Sequence, residues 1–137
     1  MAKVSKEQAI DEINGWLKFK GYDQSEIEEQ KETVEAISEH FEAGRLYLDD
    51  NIMVQTLRFP IMEKEDTSKT IASEIRYKPN PTMGELNKQM SKFNNPSTDD
   101  KILGAIKASS NIRDIFIDRM NVKDYRVAQA VNLFLVY

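Results

Sequence analysis

The chain has 137 residues, 40% hydrophobic and 31% charged, enough for one buried core with little room for a second. Its net charge of −4 is uneven: residues 1–44 carry five Lys/Arg against eleven Asp/Glu, a net of −6, whereas residues 45–137 carry fourteen against twelve, a net of +2. That balance argues against a general nucleic-acid binder, and the lack of cysteine removes disulfides, thiolate metal sites and cysteine nucleophiles.

Met1 to Lys6 runs into a charged helical pattern with no apolar h-region, so no secretory signal is expected. The first helix begins at Ser5, where Ser5-Lys6-Glu7-Gln8 has the form of a capping box. Its apolar face is Ile10, Ile13, Trp16 and Leu17, and Gly21 stops it. A second helix is predicted from a box at Ser25-Glu26-Ile27-Glu28 to Gly44, with Ile27, Val34, Ile37 and Phe41 inward. Glu28, Glu32, Glu35, Glu39 and Glu42 form an acidic stripe beside that face. The stripe is either a docking face for a basic partner or a solvated face that keeps a small domain soluble.

Leu46 to Ile61 reads as extended, with a turn at Asp49-Asp50-Asn51 and a strand at 52–59 closed by Pro60. Glu63 to Lys69 is polar and aperiodic, the expected mobile loop. Ile71, Ser73, Ile75 and Tyr77 alternate with polar or small residues as a strand with one buried face. The two strands make a central antiparallel β-hairpin, which is marginal alone and must pack on helices or another chain.

Thr82-Met83-Gly84-Glu85 opens another helix, with Met83, Leu86, Met90 and Phe93 as its inward stripe. Ser97 or Thr98 caps the next, with Ile102, Leu103 and Ile106 inward. Asn111 interrupts the chain. Ile112, Ile115, Phe116 and Met120 mark a short helix, and Asp124 is the expected cap of a last one facing inward through Val127, Ala128, Val131, Phe134 and Leu135. The prediction is an α+β fold, mostly helical with about six helices. It forms a single domain over 1–137: an acidic helical hairpin (1–44), the β-hairpin (45–78) and a bundle of short helices (79–137).

No pattern in the chain carries catalysis or cofactor binding. His40, the single histidine, sits on the acidic helix with no recognisable second ligand or nucleophile motif. The pairs Asp49-Asp50 and Asp99-Asp100 sit where turns and helix starts favour acids. The five glycines form no phosphate-cradling motif. Trp16, Phe19 and Tyr22 interleave with Lys18 and Lys20, but acidic surroundings favour core packing with snorkelling lysines over nucleic-acid stacking. No metal site, cofactor or nucleic-acid partner is expected. No membrane partner is expected either, since Val127 to Tyr137 is short and broken by Gln129 and Asn132.

A strand running into Pro81, Thr82, Gly84, Glu85 and Leu86, and a closing segment with Val122, Asp124, Tyr125, Val131 and Phe134, resembles the tail assembly chaperones of long-tailed bacteriophages. The likeness covers mainly residues 46–137. It implies a non-enzymatic protein of the infected bacterial cytoplasm that binds the tape-measure protein and recruits tail-tube subunits. Two other readings remain open: a phage head–tail or tail protein that forms homo-oligomers through its hairpin, and an adaptor docking through the acidic helix. For a chaperone, flexible thioethers suit varied clients. Met53, Leu57, Met62, Met83 and Met90 are therefore the candidate partner-binding residues, on one rim formed by the hairpin and the helix after it.

Overall fold

The computed structural model describes residues 4–135. Ser5 accepts a hydrogen bond from the Gln8 amide (3.2 Å) and starts α1 (Lys6–Phe19). Gln8 makes no return bond among the described residues, so the capping box is half formed. Ala9, Ile13, Trp16 and Leu17 are buried, Ile10 is half-buried, and Gly21 takes φ +100°, a conformation that turns the chain out of the helix.

The predicted second helix is two. Asp23, not Ser25, caps α2 (Gln24–Glu29) through a reciprocal box with Glu26. An Asx side chain two residues earlier takes the orphan amides before the serine can. The helix stops at Gln30 (φ −97°, ψ 16°), and α3 (Lys31–Glu42) continues on a new axis. The acidic stripe is divided with it, leaving Glu28 on α2 and the other four glutamates on α3. Gly44, at φ +77°, ends α3 where expected.

The sheet has three strands in the order β1 (Leu46–Asp49), β2 (Ile52–Met62), β3 (Thr70–Tyr77), each pair antiparallel. The extra strand forms because Asp50 and Asn51 both adopt positive φ (51° and 66°), the geometry of a tight two-residue hairpin turn. Leu46, Gln55 and Ile75 are aligned across the three strands, as are Leu48, Met53 and Tyr77, and these rows face the helices. On the other side Val54 is buried between Tyr47 and Arg76. Tyr47 donates to Glu74 and Arg76 pairs with Asp49 at 2.8 Å, closing a polar lid over that valine.

β2 runs through Pro60 instead of ending there, at the cost of its register. Thr56 pairs with Glu74 and Ile61 with Ala72, so four residues of β2 oppose Ser73 alone. The bulge reverses the expected alternation in β3: Ala72 is buried and Ser73 exposed, while Ile75 and Tyr77 keep the inward face.

The C-terminal half contributes α4 (Met83–Met90), α5 (Thr98–Ser109), α6 (Asp114–Ile117), α7 (Val122–Asn132) and a 3₁₀ turn at Leu133–Leu135. Thr82 and Glu85 form the expected box at α4; at α5 the cap is Ser97, which also forms a reciprocal box with Asp100. Helix α6 turns Ile117 inward and leaves Ile115 exposed, because only one helical turn forms before the chain bends at Asp118. In α7 the buried face is Val127, Ala128 and Val131, continued by Phe134 in the 3₁₀ turn; the side chain of Leu135 lies outside the described residues. Phe134 packs edge-on against Trp16 (5.7 Å between ring centroids) and Tyr22 (6.0 Å), joining the first and last helices in one core that also takes in the sheet.

Candidate partner-binding surface

Helix α4 follows β3 in the chain and packs against α5. Its start is held by the Thr82–Glu85 box and by an ion pair from Lys78 to Glu85 at 2.7 Å. The hydrogen bond from Lys78, followed by the Thr82 amide, holds the Glu85 carboxyl below its ordinary pKa. Further along, Gln89 is the one buried residue of α4, donating to Asp114 at 3.0 Å, and Lys92 bonds both Gln89 and Asp114. Burial raises the Asp114 pKa, but those bonds from Gln89 and Lys92 outweigh it and leave it below the usual value. A polar latch thus clamps the far end of α4 to the start of α6.

Close approach of α4 to α5 depends on Gly104. A Cβ there would overlap the Met90 methyl and lie 3.3 Å from Gln89 Cβ. With the latch residue facing in, the apolar stripe predicted to be inward is only partly covered. Met83 is 69% exposed, and Leu86, Met90 and Phe93 are half-buried. Met83, Leu86 and Met90 line a groove of about 220 Å³ together with Asn87, Pro96, Lys101 and Ala105. That volume is below the ~300–1,000 Å³ of typical small-molecule sites and suits one or two inserted side chains.

The five candidate residues do not share one rim. Met53 (0% exposed) and Leu57 lie in the core beneath the sheet and cannot meet a partner without unfolding; an apolar strand residue facing the helices is core first. Met62 is half-buried at the opposite end of the hairpin from α4: it pairs with Thr70, whereas Met53 pairs with Tyr77 next to the α4 junction. Its carbonyl accepts from Arg119 and its sulfur from the Thr70 hydroxyl at 3.6 Å. Only Met83 and Met90 come together.

Other residues weighed from the sequence have structural work. Asp49 pairs with Arg76, Asp50 occupies the tight turn, and Asp99 and Asp100 lie in the first turn of α5. His40 accepts from Arg45 Nε at 3.1 Å; burial, then the charges of Arg45 and Arg58, lower its pKa against an opposing pull from Glu39. Trp16 and Tyr22 are packed against Phe134, but Phe19 is exposed. Lys20 snorkels over the Trp16 ring at 4.6 Å and donates to the Pro79 carbonyl.

The sequence reading missed Asp124. It is not the cap of α7, since Asn121 takes that place by accepting from the Lys123 amide at 2.9 Å. Asp124 is 1% exposed, in the first helical turn, and its carboxylate accepts the Arg58 and Phe59 amides of the β2 bulge at 2.9 and 3.0 Å. Its carbonyl accepts from Gln55, whose oxygen accepts from the Tyr77 hydroxyl. This buried chain fastens α7 to the sheet and fixes Phe59, 49% exposed, on the outside.

No protein-family model matches the chain, and no curated protein or solved structure matches it either. Among the described residues no helix is long and apolar enough to cross a membrane.

Proposed function

We propose that this chain is a non-enzymatic assembly chaperone that holds helical segments of a client in the groove between α4 and α5. The observation that carries this reading is the Met83–Leu86–Met90 stripe, left partly open on a helix whose two ends are fastened by polar contacts. An amphipathic client helix inserts one or two apolar side chains at helical spacing into such a groove, and thioethers adapt to the varied side chains of a long client. The resemblance to phage tail assembly chaperones names the client as a tape-measure protein, the recruited subunits as those of the tail tube, and the setting as the cytoplasm of an infected bacterium.

The test is co-expression and pull-down with a phage tape-measure protein. Leu86→Glu with Met90→Glu abolishes capture while circular dichroism stays native, because neither side chain is core. Met62→Glu, at the far end of the hairpin, leaves capture intact. Undiminished capture by the folded Leu86/Met90 variant removes the groove as the client site.

A further inference from the structure

The groove between α4 and α5 carries a single charged side chain. Its wall is apolar apart from the Asn87 amide and the Lys101 ammonium, and no carboxylate lines it. The chain as a whole has 23 Asp/Glu against 19 Lys/Arg, so a groove with a cation and no acid runs against its composition. The carboxylates nearest in the chain are engaged elsewhere. Glu85 is paired with Lys78 and accepts from the Thr82 amide. Asp100 accepts from the Ser97 amide at 3.0 Å, and the charge of Asp99 acts on Tyr125 of α7. Asp114 holds Gln89 and Lys92. Lys101 is exposed, and among the described residues it makes no ion pair. It is the fourth residue of α5, near the end where the helix dipole favours acids over cations, so the stability of α5 does not account for a lysine there.

We infer that Lys101 selects the client: the groove takes amphipathic helical segments that carry an Asp or Glu one turn from the apolar side chain they insert. The inference rests on the reading of this groove as the client site. Met83 to Met90 runs for roughly 10 Å along α4, about two turns of a client helix. Lys101 lies one turn before the buried Ala105 on α5, at the solvent edge of the same groove. A client carboxylate one turn along the same face as the inserted side chain meets the ammonium at that edge. Asn87, on the facing helix, offers an amide N–H donor to the same carboxylate. A client lysine at that position meets like charge instead, so one cation discriminates by repulsion as well as by attraction. The pair is exposed to solvent. It therefore sorts among segments, while insertion of the apolar side chain supplies most of the affinity.

The probes are three helical peptides with an alanine–glutamine host and two leucines four positions apart. They differ only one turn before and one turn after the leucines, where each carries Glu, Gln or Lys at both places. Either direction of binding then presents that residue to Lys101. By fluorescence anisotropy the wild type is expected to bind the Glu peptide about two to five times more tightly than the Gln peptide, the range for exposed ion pairs, and the Lys peptide least. In about 1 M salt, where the screening length is ~3 Å, the three affinities converge. Lys101→Glu reverses the order with native circular dichroism. Lys88→Glu, the same charge change at an exposed position of α4 outside the groove, keeps the wild-type order. Equal wild-type affinities for the three peptides, all lost in Leu86→Glu with Met90→Glu, overturn the inference and leave the groove as the client site. A reversal by Lys88→Glu as complete as that by Lys101→Glu also overturns it, because the preference then belongs to the field of the helix pair. Failure of every peptide to bind, or binding that survives Leu86→Glu with Met90→Glu, removes the groove reading and this inference with it.

Discussion

Removing the Asp124 carboxylate leaves two amides of the β2 bulge without their acceptor. Hydrogen bonds to a charged group contribute ~1.5–3 kcal/mol each. Asp124→Ala is therefore expected to lower stability by at least ~2 kcal/mol, read as a shift in urea midpoint with an unchanged slope. Asp124→Asn, which keeps one acceptor oxygen, loses less. Equal midpoints for all three proteins would show that water replaces the carboxylate without loss. The residue was visible in the sequence but its role was not. An acid at the start of a helix has a sufficient local explanation as a cap, and its actual partners lie 65 and 66 positions away. The same limit applies to Met53 and Leu57: apolar character is plain in a sequence, but which side of a strand meets the helices depends on register.

At the scale of elements, legibility follows the range of the forces involved. The box at Thr82, the cap at Ser97 (one of two candidates) and the stops at Gly21 and Gly44 depend on residues three or four apart, and they formed where local chemistry put them. No local signal announces the break at Gln30, and Pro60, which marks the bulge at 57–60, is equally compatible with the end of a strand. Helix α4 combines both kinds: its start was legible, but its inward stripe was not, because Gln89 is drawn inward by Asp114 on another helix. Gly104 tests that arrangement. In Gly104→Ala the new methyl must displace the Met90 side chain, a flexible obstacle, towards the groove. Replacing a mid-helix glycine by alanine recovers about 1 kcal/mol of helix propensity. Melting is thus expected to stay within ~1 kcal/mol of wild type while client capture falls. Loss of ~3 kcal/mol or more would mean that Met90 cannot yield and that the α4–α5 contact is itself core.

For the whole molecule, the α+β class, the helical majority and the pairing of β2 with β3 were readable from periodicity, and the closure of the core was not. Closure brings Phe134 onto Trp16 and puts Lys20 between the first helix and the β3–α4 junction. It also sets the response to pH. Burial lowers the Lys20 pKa from 10.5 to about 8, so between those values the unfolded chain holds a proton that the folded chain has released. Stability rises with pH wherever the unfolded state binds more protons, so Lys20 contributes a rise from about pH 8 towards 10.5. Tyr77 acts oppositely: burial, then the charge of Asp124, push its pKa far above 10.0, so above pH 10 the unfolded chain ionises first and stability falls. His40, lowered from 6.5, removes stability as pH falls through 6.5, because only the unfolded chain accepts the proton readily. Urea midpoints should therefore decline below pH 6.5, climb from 8 to 10 and drop above 10. Lys20→Met should flatten the climb and leave the alkaline drop in place. A wild-type midpoint that falls steadily from pH 8 to 10, or a climb that survives in Lys20→Met, would mean that the ammonium is better solvated than its place over Trp16 implies, and that α1 is held less tightly against the β3–α4 junction.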